Sequence, residues 1–137
     1  MTTEATIAQL FDRWNAALQT GDPQTVAALY APDAILLPTV SNKVRRSPAE
    51  IEDYFVQFLK KRPRGTIHQQ NIRIFGDLAI DSGVYAFDLT TEDGEVQVLC
   101  RYTYVYRRDG DDWRIIEHHS SMMPEYVDRP GPPSDAA

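Results

Sequence analysis

One cysteine in the chain, Cys100, excludes an internal disulfide and cannot alone supply a thiolate metal site. Long apolar runs are missing too: none approaches the ~18 residues of a membrane span, so no membrane partner is expected. The opening Met1-Thr2-Thr3-Glu4 has neither the basic stretch nor the apolar stretch of a secretion signal, which predicts a cytoplasmic protein. Basic residues are the minority: net charge is -6 and the isoelectric point near 4.9, which works against a nucleic-acid or anionic-membrane footprint. The one basic run, Lys60-Lys61-Arg62-Pro63-Arg64, is short and reads as a solvated helix end. No glycine-rich phosphate loop occurs, since Gly76, Gly94 and Gly110 all fall at turn signals, and no cofactor is expected. Histidines number three. His118 and His119 are adjacent and would point to opposite sides of a strand, leaving His68 as the remaining one, so no metal site is expected.

What is present is an ordinary globular composition, 42% hydrophobic and 25% charged, in a length that suits one domain. Ile7, Leu10, Phe11, Trp14, Ala17 and Leu18 recur at helical spacing, with Gly21 as a stop. Asp22-Pro23 then offers an N-cap and a first-turn proline, and Val26, Leu29 and Tyr30 predict a second short helix ended by Pro32. A strand is expected over 33–37, followed by a polar segment over 39–46 that reads as a loop or short hairpin. Ser47-Pro48-Ala49-Glu50 is a capping box, opening a third helix on Ile51, Tyr54, Phe55, Phe58 and Leu59 that Pro63 and Gly65 close. After Thr66 the pattern alternates between turn signals at Gly76-Asp77, Glu92-Asp93-Gly94 and Asp109-Gly110, which predicts four long antiparallel strands. Helices first and strands afterward indicate an α+β fold, one curved sheet wrapped around three N-terminal helices. The single domain is expected over 1–125, and 126–137 reads as a proline-rich tail, mobile or pinned on a neighbour.

The final hairpin, Cys100 to Glu125, carries the unusual chemistry. One phase of its first strand is Val96, Val98, Cys100, Tyr102, Tyr104 and Tyr106; the other is Gln97, Leu99, Arg101, Thr103, Val105 and Arg107. Its second strand turns polar at Glu117-His118-His119-Ser120-Ser121. Cys100, in phase with the tyrosines, reads as a small buried hydrophobe.

The order helix, helix, strand, helix and four antiparallel strands resembles the cone-shaped, cystatin-like roll of the nuclear transport factor two-like superfamily over roughly residues 4 to 125. Within it, Gly21-Asp22, Asp33-Ala34, Arg73-Ile74-Phe75-Gly76-Asp77, Arg107-Arg108-Asp109-Gly110, Trp113 and His119-Ser120-Ser121 are similar to the association domain of calcium/calmodulin-dependent protein kinase II. They are similar also to its stand-alone bacterial relatives and to SnoaL-like proteins. The chain has no kinase motifs of its own.

The resemblance implies a pocket between the helices and the concave sheet face, and pairing with a second subunit through the outer sheet face. On that basis the tyrosine phase is assigned to packing or the interface, and Arg101 and Thr103 to the pocket, an assignment that a one-residue bulge would reverse. Arg101, if enclosed, needs either an anionic ligand or an internal partner such as Asp88, Glu95 or Glu117. Kinase association domains present arginines in this pocket, and the position aligned with one of them is Thr103 here. His119 and Ser121 match the family's terminal His-x-Ser, so His119 is a candidate general base or a partly buried histidine satisfied by its neighbours. His118 and Ser120 fall on the opposite, structural face. Tyr85, Trp14 and Tyr30 are candidate lining residues, and Asp33 reads as a cap or turn.

Two functions are therefore expected. One is a homo-oligomerisation module, at least dimeric, holding a small organic or anionic ligand through Arg101, Thr103, His119, Ser121, Tyr85, Trp14 and Tyr30. The alternative is a cofactor-free isomerase, cyclase or dehydratase in which His119 moves a proton and Arg101 stabilises an enolate or carboxylate of a small hydrophobic substrate.

Overall fold

Thr3 starts the first helix: its hydroxyl accepts the Thr6 N–H at 3.2 Å while the Thr6 hydroxyl accepts the Thr3 N–H at 3.2 Å. Helix α1 (Glu4–Gln19) then buries Ile7, Leu10, Phe11, Trp14, Ala17 and Leu18 along one stripe, and Gly21 exits it at φ 71. The computed structural model describes residues 2–125, so the expectation for the proline-rich tail falls outside the described residues. Asp22 caps α2 (Pro23–Ala27) by accepting the Gln24 N–H at 3.0 Å.

This second helix ends earlier than its apolar spacing predicts. The Leu29 carbonyl accepts the Ile115 N–H at 3.0 Å, so the chain joins the sheet at Tyr30, and β1 covers Tyr30–Leu37. Tertiary pairing has overridden a local helical pattern. Asp33, expected to cap or turn, instead stands exposed in β1, where Arg107 grips both its oxygens at 2.8 and 3.1 Å. Helix α3 (Pro48–Phe58) begins as its capping signal predicts: Ser47 Oγ accepts the Glu50 N–H at 3.2 Å, while Glu50 Oε1 accepts the Arg46 N–H at 2.8 Å. A single 3-10 turn (Leu59–Lys61) follows.

The remaining strands, β2 (Arg64–Phe75), β3 (Leu78–Thr91), β4 (Gly94–Asp109) and β5 (Asp112–Met122), form an antiparallel meander. The sheet order is β1-β5-β4-β3-β2, with β1 parallel to β5. This is the expected α+β roll: five strands curved around three helices, with two open edges. Among the described residues no helix is long and apolar enough to cross a membrane.

The facing of β4 is the reverse of the expected one. Cys100, Tyr102, Tyr104 and Tyr106 are 0–3% exposed and pack in the main core with α1 and α3, whereas Arg101 is exposed and Thr103 half-buried on the outer side. The reason is energetic. The apolar stripes of the helices must be covered by the apolar phase of the sheet, and burying a large side chain is worth about 1.5–3 kcal/mol. Arg101 on that face would forfeit the burial and add an uncompensated charge.

The phase of β5 is also reversed, but only in its second half. Trp113 and Ile115 face inward; then Tyr106 pairs with Ile115 and Val105 with Glu117, leaving Ile116 as an extra residue. This bulge turns His118 and Ser120 inward, at 3% and 5% exposure, and leaves His119 exposed on the outer face. A second bulge lies in β2, where Ile67 pairs with Tyr85 and Gln69 with Val84, skipping His68. The outer face has a small core of its own: Val84, Ala86 and Leu99 are buried there, with Met123 packed against them.

Candidate functional site

A chain of buried polar groups runs through the aromatic core between the helices and the sheet. Trp14 Nε1 donates to Tyr30 Oη at 3.2 Å, Tyr30 Oη lies 2.8 Å from His118 Nδ1, and His118 Nε2 lies 3.1 Å from Tyr85 Oη. Tyr85 donates to Ser120 Oγ at 2.7 Å, and Ser120 closes on the Thr39 hydroxyl. The proton positions follow from the Tyr85 link. Tyr85 spends its only proton on Ser120, so at His118 it can only accept, and Nε2 carries the hydrogen that donates to it. A neutral ring then accepts at Nδ1, so the Tyr30 hydroxyl, which accepts from the Trp14 indole, donates its own proton there.

The electrostatics agree with this assignment. Burial holds the His118 pKa down to about 3, with His119 adding a smaller push in the same direction, so the imidazole is neutral. Burial likewise raises Tyr30 and Tyr85 above the ordinary phenol value, and raises the Cys100 thiol to about 11. None of these groups is an ionised nucleophile or base at neutral pH.

Beside this chain lies a cavity of about 10 Å³, lined by Trp14, Tyr54, Tyr85, His118, Ser120 and Thr39 among others, with room for about one water molecule. Trp14 and Tyr85 thus border the cavity, while Tyr30 reaches it only through hydrogen bonds. Arg101, Thr103, His119 and Ser121 are together, but elsewhere: Arg101 stands opposite Ser121 and Thr103 opposite His119, forming a quartet on the outer face. The expectation that they line the enclosed pocket is corrected by the facing of β4 and the Ile116 bulge.

Two buried features went unread in the sequence. Plain alternation places His118 and Ser120 outward, and no periodicity reveals a bulge. Asp81, fully buried, had a readable signal, because it shares a phase with Tyr85 and Phe87 on the inner face. Its carboxylate accepts from Tyr102 Oη at 2.8 Å and from Gln70 Nε2 at 2.9 Å, yet burial outweighs both bonds and raises its pKa. A raised pKa means that stability present below the unfolded value of ~3.9 is lost as pH rises through the folded one. Asp81→Asn keeps an acceptor for Tyr102 and removes the charge, so it should stabilise the fold by roughly 1 kcal/mol at neutral pH. In thermal unfolding the gain should close below pH ~4, and a gain that persists there would contradict this account.

Among the described residues no group of three or more His, Cys, Asp or Glu side chains could hold a metal ion.

Comparison with known proteins sets these features in a family. Residues 3–124 match the family model described as calcium/calmodulin dependent protein kinase II association domain. The chain is similar to a Xanthomonas campestris protein assigned as such an association domain, with 53% identity, 91% of each chain covered and a TM-score of 0.87. It shares its fold with the calcium/calmodulin dependent protein kinase II hub of S. rosetta, at 17% identity, 90% and 98% coverage and TM-score 0.74. It shares it also with a Streptomyces avermitilis protein of the nuclear transport factor two-like family assigned as a dehydratase, at 16% identity, 87% and 95% coverage and TM-score 0.76. No curated protein matches the chain. With a helix-wrapped open sheet and a family match spanning nearly all of its described residues, the chain belongs to the calcium/calmodulin dependent protein kinase II association domain family.

Proposed function

We propose that the chain is a homo-oligomeric association module, at least a dimer, that pairs through the outer face of its sheet. The observation supporting this reading is the contrast between the two faces. The inner polar chain is satisfied by its own residues, with both nitrogens of His118 engaged and space for about one water. The outer face carries apolar area beyond its small core: Phe75 is 57% and Leu78 42% exposed, and Ile80 and Val105 are half-buried. Interfaces combine such a patch with polar and arginine contacts, which here are Arg101, Thr103, His119 and Ser121. An isomerase or dehydratase reading would need His118 released from two tyrosines before it could serve a substrate. A small organic or anionic ligand finds more room in the surface grooves than in the inner cavity. The reading places the protein in the cytoplasm, which a single buried thiol suits.

Native mass spectrometry should find a dimer or a larger closed assembly. Thr103→Arg puts a bulky charge at the centre of the outer face while leaving the core untouched. It should weaken assembly by roughly a hundredfold with an unchanged circular dichroism spectrum. A wild-type chain that is monomeric at micromolar concentration would overturn the proposal.

A further inference from the structure

Arg45 is a buried cation that makes no ion pair among the described residues, and Glu50 feels its charge only at longer range. The arginine lies in the segment 38–47 between β1 and α3, where its backbone N–H and C=O exchange two 2.9 Å hydrogen bonds with Leu36, and it is only 8% exposed. Its guanidinium sits 5.3 Å from the centroid of the Tyr54 ring. Nη1 and Nη2 both reach the Ser41 hydroxyl, at 3.4 and 3.3 Å, and Nε, fully enclosed, has no hydrogen-bond partner. Among the described residues no carboxylate lies within ion-pair distance of it. The neighbouring acid, Glu50, is taken by the Arg46 N–H at 2.8 Å and by Lys43 at 3.6 Å.

Such a charge is costly to bury unless something compensates it. Convergence of two N–H groups on one oxygen places that oxygen at the end of the guanidinium fork, the seat that an oxyanion takes bidentately. Charge-assisted bonds there run about 2.7–2.9 Å, so the neutral Ser41 hydroxyl fills the seat loosely. Ser41 in turn opens onto a groove of about 330 Å³, shared with Thr39, Asn42, His119 and Ser121 and lined by no acidic residue, on a chain whose net charge is -6. The Thr39, Ser41 and Ser121 hydroxyls and the Asn42 amide line this groove, which Arg45 meets only through Ser41, and a set of several polar groups suits the oxygens of a phosphoryl group better than the two of a carboxylate.

We propose that this groove binds the phosphoryl group of a small phosphate monoester, with Arg45 taking two of its oxygens once Ser41 gives way and Ser41 and Asn42 holding the rest. Arg45, Ser41 and Asn42 lie on no strand of the outer face, although the groove borders His119 and Ser121 of the face proposed for assembly.

The test is heteronuclear NMR of the wild-type protein titrated with inorganic phosphate, with sodium acetate and sodium chloride at matched ionic strength as separate arms. The expected result is saturable movement of the Arg45 Nε–H signal and of the Ser41, Asn42 and Lys43 amides with phosphate alone. Arg45→Lys, which keeps the charge but loses the fork, should bind phosphate at least about tenfold more weakly. Should that variant not fold, the Arg45 Nε–H signal of the wild type decides the matter. A signal unmoved at saturating phosphate, equal movement with acetate, or full affinity in Arg45→Lys would overturn the site.

Discussion

Acidification from neutral pH to pH ~4 should cost the folded state about 3 kcal/mol through His118 alone. Burial sets the folded pKa of this imidazole near 3, against ~6.5 for an unfolded histidine. A depressed pKa contributes stability that is present above the unfolded value and lost as pH falls toward the folded one, at ~1.4 kcal/mol per unit. Protonation in place would turn the Tyr30 proton away from Nδ1 and leave a charge enclosed among buried rings. Asp81 acts in the opposite sense over part of this range, since its pKa is raised. Asp33, Glu50 and Asp112, whose pKa values are lowered by Arg107, the Arg46 N–H and Arg13 respectively, begin to lose their contribution at the acid end of this range, equally in wild type and in a His118 variant. The comparison is therefore between wild type and His118→Gln, whose amide can still donate and accept but does not titrate. Urea unfolding across this window should show the wild type losing about 3 kcal/mol more than the variant. Parallel pH profiles would mean that His118 is not neutral and buried as described.

That histidine also shows where sequence reading stops. The helices were legible because their signals are local: Asp22 and Ser47 cap where their spacing places them, and the stripes of α1 and α3 name the core directly. The meander was legible because Gly76 and Gly110 sit at positive φ in the turns between alternating runs. The facing of each strand is a different quantity. Alternation gives two phases and does not say which is inside; on β4 the family resemblance points one way and the burial of three tyrosines the other, and burial wins. On β5 not even burial would have sufficed: Trp113 and Ile115 are inward, but Ile116 is an extra residue, and counting by twos past it selects His119 where the fold selects His118. Tyr30, a candidate lining residue from the sequence, is expected on a helix for a related reason, because its strand forms only through pairing with β5, a partner far along the chain. Arg45 carried no signal at all, since nothing in a polar loop marks which of its cations will be enclosed.

Gly83→Ala should be the most damaging small substitution in the sheet, destabilising the fold by about 3 kcal/mol or more. Alanine ordinarily suits a strand interior better than glycine, by roughly 0.5–1 kcal/mol, and Gly83 is not among the glycines at positive φ, so no conformational argument protects it. The requirement is space. Skipping His68 bends β2 across the inner side of β3, and a Cβ on Gly83 would fall inside the van der Waals contact distance of the Gln69 carbonyl, with the Gln70 nitrogen 3.2 Å away. Both obstacles are backbone, so no rotamer change relieves them, and β2 must shift register or detach. The Asp81 carboxylate would then lose its Gln70 donor, and the Tyr102 hydroxyl, 3.5 Å from the Gln69 carbonyl, would lose that contact. Ser82→Ala, one residue away on the outer phase, should change stability by no more than about 0.5 kcal/mol. Urea unfolding of the two variants gives the free energies, and hydrogen exchange at the Gln69 and Gln70 amides reports whether the bulge has opened. If Gly83→Ala is as stable as wild type with protected amides, β2 does not cross β3 there and the inner face is wider than described. If it fails while Ser82→Ala does not, the bulge holds the Asp81 cluster in place and glycine is what permits it.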